Sequence, residues 1–214
     1  MKLVVVGISD CAVSSDPEAQ LVTYALGSCI AVTLFDPIAR VAGLLHFMLP
    51  ESTLDRDKAA KNPAMFADTG IPLLFRRAYD CGAGKRRLVV RVAGGAQMAD
   101  ERGVFNIGKR NYLAMRKILW KAGVLIDGEA VGGMVSRTLR LDVATGRLWL
   151  REGGVEREMS GQSGGGPIGA AQNGATQTGT TQTAAVPTGA TEPAGANTQP
   201  AETNKGAAPC LRVC

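Results

Sequence analysis

The stretch LVTYALGSCIAVTLFDPIARVAGLLHFML, residues 21–49, decides the fold. Its segment 30–35 is rich in strand formers, Asp36 and Pro37 open a turn, and 41–49 is a second apolar run stopped by Pro50. Two such runs across a short turn predict neighbouring antiparallel strands. Neither alternates clearly with polar residues, so both faces of the pair are expected to be buried.

Working outward, 51–61 is polar and aperiodic and is expected to be a loop. Asn62 followed by Pro63 is a helix-start signature, and Phe66, Leu73 and Leu74 mark the buried stripe of a helix to about residue 79. Pro72 is predicted to kink that helix or split it. Segment 88–93 reads as a strand, with Gly94 and Gly95 as a tight passage after it. The clearest helix spans 106–122, with Tyr112, Met115, Leu119 and Ala122 on one face and Gly123 placed to end it. Segments 125–126, 138–143 and 147–151 read as further strands. Roughly six strands and two main helices without strict alternation predict an α+β chain, not a doubly wound nucleotide-binding fold. The expected architecture is a layered α/β sandwich, with mixed or antiparallel sheets flanked by helices.

Composition changes sharply near residue 160. Residues 161–214 are Gly, Ala, Thr, Gln, Pro, Ser and Asn with little to bury, so 1–160 is expected to fold and 161–214 to form a disordered tail. Truncation near Gly161 is expected to leave activity intact. The net charge is +5, and the tail's Glu192 and Glu202 cancel its Lys205 and Arg212. The excess is mild, and the denser patches at Lys85–Arg86–Arg87 and Lys109–Arg110 carry no interleaved aromatics, so nucleic acid is not an expected partner. The opening apolar run ends at Asp10, too early for an ordinary signal peptide, and no uncharged segment reaches spanning length, so membrane insertion is not expected. The five cysteines, Cys11, Cys29, Cys81, Cys210 and Cys214, show no paired spacing. They are expected to be reduced cytoplasmic thiols, with Cys11 and Cys81 structural and Cys210 and Cys214 incidental.

The chain has a single histidine, His46. Only histidine has an unperturbed pKa suited to proton transfer near neutrality, so any general base here has one obvious candidate, and a histidine-rich metal centre is excluded. A hairpin centred near residues 37–38 would match Cys29 with about residue 46, bringing a thiol to the imidazole. Gly27 and Ser28 before Cys29 leave amides free to receive an oxyanion, and the imidazole is expected to lower the thiol pKa. The Thr23 hydroxyl could accept the second imidazole N–H and fix the tautomer. A bland reading stands beside this: a strand histidine is more often a satisfied core residue, and a cysteine in an apolar run more often structural. Ser28 lies outside any G-x-S-x-G elbow, and the glycine pairs 94–95 and 132–133 lack the lysine of a phosphate loop.

In residues 5–155 the chain resembles the CheD family of chemoreceptor glutamine deamidases. The resemblance is carried by LVTYALGSCIAVTLFD, GLLHFMLP, NPAMFADTGIPLL at 62–74, VAGGAQM at 92–98, FNIGKRN at 105–111 and GGMVSRTLRLDVATG at 132–146. It implies that Thr23, Cys29 and His46 are catalytic, that the fold is shared with toxin-type glutamine deamidases, and that the activity is a cysteine amidohydrolase with no metal or organic cofactor. It further implies cytoplasmic action on glutamines in the cytoplasmic helical region of methyl-accepting chemotaxis receptors, and binding to CheC, a phosphatase, as in several members. Two alternatives follow from the same residues: a non-catalytic adaptor binding receptor or CheC, and a transglutaminase in which a lysine amine replaces water at the thioester.

Overall fold

The computed structural model describes residues 1–97, 106–160 and 210–213. Met98, Phe105, Cys214 and residues 161–209 lie outside the described residues, and with them the ends of two quoted motifs and most of the expected tail. The elements are β1 (Lys2–Val5), β2 (Asp10–Ser14), β3 (Ala19–Leu26), β4 (Ile30–Asp36), β5 (Val41–Phe47), α1 (Arg56–Lys61), α2 (Ala67–Asp80), β6 (Val89–Gly94), α3 (Ile107–Lys121), β7 (Gly128–Val131), β8 (Arg137–Asp142), β9 (Leu148–Glu152), β10 (Val155–Glu158) and β11 (Leu211–Val213). The fold is α+β with two mixed sheets, ordered β1-β3-β8-β9-β10 and β11-β2-β5-β4-β6-β7. Among the described strands only the pairs β1–β3 and β6–β7 run parallel.

Every residue of β4 and β5 is buried, as their unbroken apolar runs predict. The strand period of two divides them between two cores. Ile30, Val32, Leu34, Leu45 and Phe47 pack beneath α2 and α3 with Leu74, Met115 and Leu119. Ala31, Ala42 and Leu44 face the other sheet, where they meet Leu21, Leu139, Leu141 and Leu150. Small residues on one sheet opposite leucines on the other let the two sheets interdigitate.

Several expectations need correction. Short strands β1, β2, β7 and β10 were not legible as such: β1 and β10 are largely exposed edges, and β7 begins at Gly128, beyond the predicted 125–126. Pro72 does not split α2, which runs unbroken through it with Pro72 on the helix's exposed side. The cysteines are not all reduced thiols. Cys81, one residue past α2, is bonded to Cys210 across 129 positions, with Cα atoms 5.8 Å apart, and Cys11 is disulfide-bonded as well. Residues 211–213 of the expected tail form β11, antiparallel to β2. An edge strand offers unpaired backbone groups to any extended segment held beside it, and the Cys210 bond holds this one there. Among the described residues no helix is long and apolar enough to cross a membrane.

The turn between β4 and β5 closes at Asp36 opposite Val41. The Asp36 carboxylate is fully buried and accepts from the Ile38 and Ala39 amides at 2.9 and 3.1 Å, the Gly84 amide at 2.7 Å and the Arg87 guanidinium at 2.7 Å. Burial alone would raise its pKa, but Arg87 and the three amides outweigh it and hold the carboxyl at about 2. Asp36→Ala, which strands these donors, should lower stability by about 2–4 kcal/mol. Urea unfolding checks this, and a loss below about 0.5 kcal/mol would mean the carboxylate does not hold the turn.

Candidate active site

Thr23, Cys29 and His46 come to the site from different places in the sandwich. On β3, Ala19 and Leu21 point into the space between the sheets, so the period of two sends Thr23 there as well. On β5, Ala42 and Leu44 do the same, and His46 continues their face. Cys29 lies where the chain leaves β3 in one sheet and enters β4 in the other, and it packs against the same inter-sheet core. A β-bulge between Thr23 and Leu26, with Ala25 at φ 55°, shifts the β3–β8 register before the ladder's last pair, Leu26 opposite Arg137, after which the chain crosses.

The predicted hairpin centre is one residue early. The turn spans residues 37–40, so Ala31, not Cys29, pairs with His46. Cys29 lies just outside the ladder, before Ile30, and packs against the same inter-sheet core as Ala31. Among the described residues no hydrogen bond joins the Cys29 sulfur to the imidazole.

Thr23 and His46 are joined directly, with Oγ1 2.8 Å from Nδ1. The same hydroxyl donates to the Val6 carbonyl at 2.7 Å. A hydroxyl has one hydrogen, and Val6 takes it, so toward the ring Thr23 can only accept. Nδ1 therefore carries the proton, an assignment made by the network, and Nε2 presents its lone pair. That Nε2 is buried and has no partner. Asp10, the cross-strand neighbour of His46 on β2, spends its carboxylate on the Cys11 and Gly7 amides at 2.7 and 3.4 Å.

Among the described residues no charged group pairs with the imidazole, and burial lowers its pKa to about 4. Burial likewise pushes the Cys29 thiol up, partly offset by its own backbone amide. The expectation of a thiol pKa lowered by the imidazole is overturned, because a desolvated neutral ring offers no cation to hold a thiolate. At neutral pH the Cys29 thiol and the His46 ring are both uncharged. Cys29 is also the one free cysteine among the described residues.

The carbonyls around Cys29 are all tied inward. Gly27 accepts from the Ala96 amide at 2.8 Å, Cys29 from the Gly95 amide at 2.7 Å, and Ser28 from the Asn111 side chain at 3.0 Å. Among the described residues the Ser28 and Cys29 amides donate to no backbone carbonyl. Gly94, at φ 114°, must be glycine, since a Cβ there would collide with the Cys29 carbonyl. The sequence reading gave Asn111 no role. Its signal was a polar residue on the helix stripe that continues through Met115 and Leu119, where only a paired amide belongs.

The family model described as "CheD chemotactic sensory transduction" matches residues 48–152. A probable chemoreceptor glutamine deamidase CheD of Solibacter usitatus is 56% identical over 159 residues, 74% of this chain and 94% of that protein. The probable chemoreceptor glutamine deamidase CheD 1 of Syntrophus aciditrophicus is 52% identical over 157 residues, 73% of this chain and 98% of that protein. CheD 2 of Anaeromyxobacter dehalogenans, with the same description, is 52% identical over 153 residues, 72% and 96% of the two chains.

The lowered imidazole pKa fixes a pH dependence. Folding depresses it from 6.5 to about 4, so its stabilising contribution is complete above pH 6.5 and is lost as pH falls toward 4. A base with that pKa stays unprotonated through the neutral range. The acid limb of kcat/KM should therefore fall near pH 4, and a midpoint near 6.5 would show that the ring is solvated in the working enzyme.

Proposed function

The chain belongs to the CheD family, and from that premise we propose that it deamidates receptor glutamines through a Cys29 thioester, with His46 as base and Thr23 holding the imidazole in its working tautomer. The observation that carries this reading is the buried, unpartnered Nε2 lone pair on a ring whose other nitrogen is committed to Thr23.

In the proposed reaction the Cys29 S–H gives its proton to Nε2 as sulfur attacks the glutamine carboxamide carbon. The carbonyl oxygen becomes an oxyanion beside the Ser28 and Cys29 amides. The intermediate collapses, the C–N bond breaks, and the imidazolium passes its proton to the departing nitrogen, so that ammonia leaves and a thioester remains. Water then attacks that carbonyl as Nε2 takes one of its protons. Collapse expels the sulfur, which recovers the proton from the ring, and the side chain is left as glutamate. The substrate we assign is a methyl-accepting chemotaxis receptor, as the relatives' descriptions as chemoreceptor glutamine deamidases suggest, and by family resemblance we place the reaction in the cytoplasm with CheC as the second partner class.

Incubation with a purified receptor cytoplasmic fragment should release ammonia and add about 1 Da per modified site, the exchange of NH2 for OH. Cys29→Ala should reduce the rate by at least about a thousandfold, and Thr23→Val, which removes the tautomer anchor, by roughly 10–100-fold. Crosslinked chains in place of the mass shift would indicate a transglutaminase. Receptor binding without ammonia release would leave an adaptor in place of this enzyme, and a Cys29→Ala protein as active as the native one would remove Cys29 from the mechanism.

A further inference from the structure

We propose that Asn111 is a positioning residue that aims the Cys29 N–H at the oxyanion and fixes the spacing between the thiol and imidazole arms; this rests on the deamidase reading above. Asn111 is fully buried on α3, and its Nδ2 donates to two carbonyls, Ser28 at 3.0 Å and Met48 at 2.9 Å. The first lies immediately before Cys29 and the second two residues after His46. No backbone ladder joins these two positions, since the β4–β5 pairing ends at Ile30 opposite Phe47. The side chain bridges the gap where the ladder stops.

Peptide planarity carries the effect to the reacting atoms. The Ser28 carbonyl and the Cys29 N–H belong to one trans peptide group and point in opposite directions. Pulling the carbonyl toward α3 turns that N–H away from the helix. The Ala96 amide acts in the same way on the Gly27 carbonyl and so on the Ser28 N–H. The helix can come this close because Gly108 lies against the Gly95 and Ala96 carbonyls, where a Cβ would not fit.

The side chain's own imbalance points the same way. Asn111 Oδ1 is buried and unpartnered, so the residue is held by what its NH2 does and not by local satisfaction of both ends. Reversing the amide would press Oδ1 against two carbonyl oxygens, which fixes its orientation.

The test uses the full chain, native and with Asn111→Leu, which keeps the volume and removes the donors. Two rates are measured: ammonia release from the receptor fragment, and alkylation of Cys29 by iodoacetamide. Alkylation displaces iodide and forms no oxyanion, so it reports the thiol and its base alone. The inference predicts a kcat reduced roughly 10–100-fold, KM within about twofold, and alkylation within about threefold of native. Unchanged kcat overturns it, as does a parallel loss of both rates, which would make Asn111 a support of the fold only. Asn111→Ser is measured alongside, so that a misfolded leucine variant still leaves a readable comparison. If the native chain releases no ammonia the deamidase reading falls and this inference with it; native activity with an indifferent Asn111→Leu removes the inference alone.

Discussion

The register of one hairpin governs the site. Asp36 opposite Val41 sets Ala31 opposite His46, and side chains alternate between faces along a strand. A slip of one residue would turn His46 away from Thr23 and into the layer beneath α2. Apolar pattern alone specifies this register weakly, because β4 and β5 are buried on both faces. The buried Asp36 carboxylate supplies what the pattern lacks, since its donors at Ile38 and Ala39 converge only when the turn closes there. It also binds the Gly84 amide and Arg87, which lead into β6. Through β6 the constraint reaches Gly94 and Gly95, which pack on the Cys29 carbonyl.

Change of sheet is the second constraint. Between β3 and β4 the chain gives up one ladder before it gains the next, and buried backbone groups there must find other partners. The carbonyls find them in Gly95, Ala96 and Asn111, all on the side of β6 and α3. Among the described residues the Ser28 and Cys29 amides donate to no backbone carbonyl, so the crossing satisfies its carbonyls and leaves these two amides outside any ladder.

The site residues were legible because of scarcity and spacing: one histidine, one cysteine at the head of a strand after glycine, and a threonine six positions earlier. Their mutual geometry was less so. The turn residues Asp36 and Pro37 mark where a hairpin bends, but whether the loop holds two residues or four depends on what the Asp36 side chain can reach, and Gly84 and Arg87 are about 50 positions away. The same limit hid the Cys81–Cys210 bond, whose partners give no spacing signal across 129 positions. Helices with strong apolar stripes, 107–121 above all, were read nearly to their ends. The edge strands β1 and β10 were not, because exposed pairing leaves little hydrophobic pattern. The direction of the Cys29 pKa was misjudged for a related reason: proximity of an imidazole was legible, its desolvation was not.

That desolvation shapes how the proposed chemistry must work. Burial keeps both the thiol and the imidazole neutral, so the resting protein has no preformed thiolate and the nucleophile is weak. Thr23, unlike a carboxylate in its place, orients the ring without supplying charge to stabilise the imidazolium. Proton transfer from sulfur to Nε2 therefore becomes favourable only when a second process offsets it, and the only charge created at the same moment is the substrate's oxyanion. Placing that charge against preorganised amides in a site of low dielectric stabilises the transition state more than the ground state. In the proposed reaction a glutamine seated so that its carbonyl meets those amides would activate its own nucleophile, whereas an amide entering without that alignment would meet an inert thiol, so selectivity would come from the same electrostatics as the rate.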